Sequence, residues 1–171
     1  WQGQMGREQM EITELIRGYK NPYLGKFRID EYNIERDRII RGAWQKNLVT
    51  NKLKAALADV LTGDYEANKH RIGKLAIGTG STAVAATDLA LTTQLGYLKS
   101  YVPNSLHNNT YSNKAESTYY FDSTESSYYG TWAELGLYAY NENDLLTHSL
   151  ISPTKIFDNT KTMTVYYVIE F

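Results

Sequence analysis

The chain of 171 residues has no cysteine. That removes disulfides, thiolate metal sites and cysteine nucleophiles together, and it fits assembly in a reducing compartment. An excess of either charge is also missing: 18 basic and 19 acidic residues leave a net charge of -1. No global field draws the chain toward nucleic acid or an anionic membrane. No block of like charge suggests an interaction tail. No apolar run approaches the roughly 18–20 residues that a bilayer span requires, and the first residues carry no signal-peptide pattern.

Catalytic signatures are equally scarce. The run "LAIGTGSTAVAATDLAL" at 75–91 enters a Gly-Thr-Gly turn and invites a phosphate-cradle reading. A P-loop needs G-x-x-x-x-G-K-[ST], which does not occur. A dinucleotide fingerprint needs G-x-G-x-x-G between a strand and a helix. Gly78 and Gly80 fill its first two positions, and Ala83 stands at the third. No long amphipathic helix follows, and alternating β-α units are missing, so the context decides against nucleotide binding. Ser81 sits in no G-x-S-x-G elbow. His70, His107 and His148 are far apart, without metal-ligand spacing, and read as surface or loop residues. Asp30, Glu31, Glu35 and Asp37 alternate with Arg28, Arg36, Arg38 and Arg41, the pattern of a solvated mixed-charge face. Glycoside hydrolysis needs two facing carboxylates, and a carbohydrate-active sandwich would use two of Glu116, Glu125 and Glu134. No cofactor and no metal is expected.

Tyrosine is what the chain has in abundance: 15 Tyr, against 3 Trp and 4 Phe. Tyr favours strands and suits contact surfaces that are apolar yet wet. Adjacent strand residues face opposite sides, so one member of Tyr119/Tyr120 and one of Tyr128/Tyr129 point away from the core. Few Lys or Arg interleave with these strands, which argues against a single-strand nucleic-acid platform.

Residues 1–25 read as an N-terminal arm, a short amphipathic helix or an extended segment that orders on a partner. Trp1, Met10, Ile12 and Leu15 are its contact candidates. Gly18, Asn21, Pro22 and Gly25 break any helix after it. Residues 26–171 read as one domain. It opens with a β-hairpin over 27–44 that has a charged turn. Residues 51–62 form the clearest helix, with Leu53, Ala56, Leu57, Val60 and Leu61 in one stripe, Thr50 or Asn51 as N-cap and Gly63 as C-cap. Strands follow at 74–78, 114–122, 131–140, 145–151 and 162–171, with a long Asn/Ser-rich loop over 101–113. The last strand puts Met163, Val165, Tyr167, Ile169 and Phe171 on one face. In "TWAELGLYAY", strict alternation puts Ala133, Leu135, Leu137 and Ala139 inward and Trp132, Glu134, Tyr138 and Tyr140 outward. Tyr120, Tyr129, Trp132, Tyr138 and Tyr140 complete the candidate contact surface. The fold class is mainly β with one core-packed helix, a β-sandwich or jelly-roll-like domain behind an arm. Gly78 and Gly80 serve a sharp turn or a close backbone approach. Asp88 caps a short turn before Leu89 and Leu91 re-enter the core.

The motifs in order are "NLVTN" at 47–51, "IGTGSTAVAATDLAL" at 77–91, "TWAELGLYAY" at 131–140, "LLTHSLISPTKIF" at 145–157 and "TMTVYYVIEF" at 162–171. This string resembles a family of small structural proteins of tailed bacteriophages across residues 40–171. Lys52 stands where a small residue is commoner, Val84 where Pro is frequent, and the arm lies outside the pattern. The resemblance implies a non-enzymatic virion component, with no catalytic residue or cofactor. The leading expectation is a capsid decoration or cement protein, assembled in the bacterial cytoplasm and located in the virion. Its partners would be the major capsid protein or other virion subunits and further copies of itself, not nucleic acid or membrane. The alternative is a tail, baseplate or fibre-associated protein, with a glycan as a further partner if it is an adhesin.

Overall fold

The computed structural model describes residues 24–63, 71–109, 114–141 and 144–170. The arm candidates Trp1, Met10, Ile12 and Leu15, and also His70 and Phe171, lie outside the described residues. The elements are β1 (Leu24–Asn33), β2 (Arg38–Ile40), β3 (Gln45–Val49), α1 (Asn51–Thr62), β4 (Ile72–Gly78), β5 (Gln94–Ser100), β6 (His107–Asn109), β7 (Lys114–Phe121), a 3-10 turn (Ser126–Tyr128), β8 (Gly130–Ala139), β9 (Leu145–Phe157) and β10 (Lys161–Glu170). The mainly-β class holds, with a single α-helix among the described residues. The strands form one ten-stranded sheet in the order β5-β4-β8-β9-β3-β1-β10-β7-β6, with β2 attached to β1. Short β3 pairs with β9 on one side and β1 on the other, so the sandwich halves are joined into a nearly closed sheet.

Period-two patterning builds the β1–β10–β7 half. Met163, Val165, Tyr167 and Ile169 of β10 point inward, beside Phe27 and Ile29 of β1 and Tyr119 and Phe121 of β7. Each such side chain contributes about 1.5–3 kcal/mol on burial. An aromatic cluster closes the interior. Phe121 meets Trp132 edge-on at 4.7 Å and Tyr128 at 5.0 Å, and Trp132 lies 5.1 Å from Phe157. The Trp132 indole N–H donates to the Tyr128 carbonyl at 2.8 Å, so the ring is buried with its polar atom satisfied.

Strict alternation fails in β8. The register against β9 shifts there: two steps from Trp132 to Glu134 face five from Lys155 to Leu150. Trp132, Leu135 and Leu137 therefore share the main core, while Tyr138 joins a second cluster with Ala76, Leu91 and Leu145. This corrects two contact candidates: Trp132 is fully buried and Tyr138 is 6% exposed. The break in alternation returns Trp132 to the interior, and the segment after β4 covers Tyr138. Tyr129 is half-buried, edge-on to Phe157 at 5.5 Å. Tyr120 and Tyr140 lie at the surface.

The helix begins and ends where expected, but its stripe is covered only in part. Leu53 and Ala56 are buried, whereas Val60 is 47% and Leu61 84% exposed. Gly63 caps the end in the left-handed conformation, φ 82°. Thr50 occupies the N-cap position without capping. Its hydroxyl donates to the Leu145 and Leu146 carbonyls at 2.5 and 3.0 Å, fastening the helix start to β9. The charged hairpin departs from expectation at Asp30, which is nearly buried and accepts from the Gly42 N–H at 3.1 Å.

Trp132→Ala should cost about 3–5 kcal/mol in urea unfolding, as large aromatic truncations in a core do. Leu61→Lys should change stability by less than about 0.5 kcal/mol. A loss above 1.5 kcal/mol at Leu61 would contradict the solvent-facing position of the last helical turn.

Candidate functional site

Two places concentrate polar chemistry, and the first is the segment 79–93 that opened as a possible phosphate cradle. It holds no helix and crosses the outer face of β4, β8 and β9 as a strap. Beneath it lies the carboxylate of Glu134, 0% exposed. Three backbone N–H groups of the strap converge on it: Gly80 at 3.0 Å, Thr92 at 3.0 Å and Thr93 at 2.7 Å. His148 of β9 contacts the same carboxylate through Nε2 at 2.9 Å and Asp88 through Nδ1 at 2.7 Å. Asp88 in turn accepts the Ala85 N–H at 2.8 Å and closes the strap's own turn. The Leu91 N–H reaches the Tyr138 hydroxyl at 3.4 Å.

The glycines are explained by this anion. A Cβ on Gly80 would lie 2.3 Å from Glu134 Oε1, and one on Gly78 2.4 Å from the Thr93 carbonyl and 2.6 Å from the same carboxylate oxygen. Both serve close approach rather than a left-handed backbone. Burial pushes the Glu134 carboxyl up, but the N–H groups of Thr93 and Thr92, His148 and the Gly80 N–H outweigh it and hold it below its ordinary 4.5. The Ala85 N–H, opposed by partial burial and reinforced by His148, lowers Asp88 below its ordinary 3.8.

His148 is the correction to the histidine reading, being 2% exposed rather than a surface residue. Both its ring nitrogens face carboxylates, which leaves neither directed at a substrate. Glu116, Glu125 and Glu134 do not share a cleft. Glu134 is under the strap. Glu125 pairs with Lys99 and accepts the Asp122 N–H at 2.8 Å. Glu116 faces outward on β7, in the second place of interest.

That place is a cleft of about 370 Å³ on the outer face of β1, β10 and β7, lined by Lys26, Trp44, Lys114, Glu116 and Tyr166 among others. Trp44 is 45% exposed. The Arg28 guanidinium lies 5.1 Å from the Trp44 ring and 4.5 Å from Tyr166, and is tied to Asp30 at 3.0 Å. Lys26 and Lys114 both reach Glu170 Oε1, at 2.7 and 3.3 Å. Sequence reasoning missed Trp44 because it follows a short strand in "RGAW" with no aromatic neighbour. Its partners on β1 and β10 are distant in sequence. Among the described residues, no group of three or more His, Cys, Asp or Glu is placed to hold a metal ion. No known protein family, curated protein or solved structure matches the chain.

Glu134→Gln should cost at least about 2 kcal/mol, since it weakens charge-assisted bonds to buried donors. Gly80→Ala should cost about 1–3 kcal/mol through overpacking. Because Glu134 and Asp88 are lowered in the fold, their contribution is present above the ordinary carboxylate range and is lost as pH falls through it. Denaturation midpoints measured on both chains from neutral to acidic pH should fall less steeply for Glu134→Gln than for wild type. Parallel profiles would contradict the role given to this carboxylate.

Proposed function

We propose that the protein is a non-enzymatic structural component of a tailed-bacteriophage virion, a capsid decoration protein binding neighbouring virion subunits. One observation carries the reading: the resembling motifs bond to one another instead of framing a reactive centre. Asn47 donates to the Tyr167 hydroxyl, joining "NLVTN" to the last strand. Thr50 donates to the start of "LLTHS". The Asn51 N–H donates to the Ala86 carbonyl at 2.7 Å, joining the helix to the strap. The Glu134–His148 contact brings in the remaining one, "TWAELGLYAY". A signature spent on scaffolding is what a particle subunit needs, since repeated copies make weak individual contacts sufficient.

The second reading keeps the virion and moves the protein to the tail, baseplate or fibre. The specific observation favouring it is the Trp44 cleft, a concave site with mixed polar and aromatic lining. Quantitative mass spectrometry of purified particles separates the two. Hundreds of copies per particle are expected for a decoration protein, and a few to a few dozen for a tail component. Absence from particles would overturn both.

A further inference from the structure

We propose that the cleft on the outer face of β1, β10 and β7 is a glycan-binding site that takes a neutral hexose against Trp44. The inference rests on reading this face as a binding surface and not on where in a particle the chain sits.

Preorganisation is the first argument. A large aromatic at 45% exposure would ordinarily be free to change rotamer. Trp44 instead packs against a guanidinium that Tyr166 and Asp30 fix from other directions. Lys26 adds its ammonium 5.6 Å from the same ring while bonded to Glu170. The cost of ordering this surface is met before any ligand arrives.

Charge is the second. Lys26, Lys114 and Glu116 line the cleft; Glu170 bonds both ammonium groups and Asp30 the Arg28 guanidinium, and Lys46 is the cross-strand neighbour of Lys26. Both lining ammonium groups are thus already paired with a carboxylate, which weakens any hold on a phosphate or an acidic sugar. A neutral ligand must instead be held by individual hydrogen bonds. Ammonium groups on one side donate, and the Glu116 carboxylate accepts. Ser105 takes no part, since its hydroxyl donates to the Thr118 carbonyl at 3.2 Å and accepts the Thr118 N–H at 3.1 Å.

Shape is the third. A pyranose offers a C–H face to an aromatic ring and hydroxyls that both donate and accept around its rim. The lining supplies the complement of each. A volume of about 370 Å³ lies at the small end of ligand sites, roughly 300–1,000 Å³. That suits a short saccharide rather than a folded partner.

Saturation-transfer NMR on the purified chain tests this, with glucose, galactose, mannose and N-acetylglucosamine oligomers as neutral probes and glucuronate and sialyllactose as acidic ones. Saturable binding of at least one neutral probe in the millimolar range is expected. Trp44→Ala should weaken it at least tenfold and Glu116→Gln severalfold, with near-UV circular dichroism and urea midpoints close to wild type. Tyr97→Ala, 80% exposed and on the far edge strand β5, should bind as wild type does. Binding of no neutral probe, binding retained in both cleft variants, or binding confined to acidic probes would overturn the proposal. The particle measurement fails independently. A chain abundant in virions that binds no sugar loses the cleft and keeps the scaffold role; a sugar-binding chain absent from particles does the reverse.

Discussion

The rest of the structure depends on one buried anion, the Glu134 carboxylate. A carboxylate at zero exposure is tolerated only when its oxygens are bonded. Three strap N–H groups and His148 do this, and each imposes a further demand. The N–H groups require the backbone of 79–93 to descend onto β8, which leaves no room for side chains at Gly78 and Gly80. His148 must be buried beside it, and its second nitrogen must find Asp88. Asp88 must then sit in the strap, which it does by closing the turn at Ala85.

The same constraint governs where the surface lies. With the strap bonded over β4, β8 and β9, the central strand of this half is covered on both faces: β8 is buried from Trp132 to Ala139. A contact surface built on its aromatic residues is thereby removed. The opposite half keeps an uncovered outer face, where Lys26, Trp44 and Tyr166 stand in the open or half-open. One half of the molecule is committed to internal satisfaction, and the other presents the cleft. The helix follows the same division: Thr50 fastens its start to β9, and Asn51 fastens it to the strap. Its last turn, with Leu61, stands clear.

What was legible in the sequence is what a single period determines. β10 alternates through Met163, Val165, Tyr167 and Ile169 without interruption, and its inward face could be read directly. Helix α1 is bounded by a Gly that only a left-handed cap explains. Legibility ended where the period breaks or a partner is remote. The irregular pairing of β8 with β9 between Trp132 and Glu134 goes with Trp132 lying on the side opposite the one that counting assigns it. Strand β5 was missed because it is a mostly exposed edge strand, with Tyr97 at 80% and a left-handed Gly96 interrupting any apolar alternation. His148 gave no local signal, since its partners Asp88 and Glu134 lie 60 and 14 residues away.

The Gly-Thr-Gly turn shows why such a motif misleads. In a phosphate loop, backbone N–H groups converge on an anion, and glycines clear the space for it. The same physics operates in this strap, and the difference is only the anion's source. The register identifies that source: Gly78 is the cross-strand partner of Glu134. A side chain opposite the first glycine occupies the position that a ligand phosphate would need. A glycine-rich turn whose strand neighbour carries a buried carboxylate has already consumed its own anion-binding capacity. Its glycines then report on how tightly a covering segment must approach, and not on a substrate.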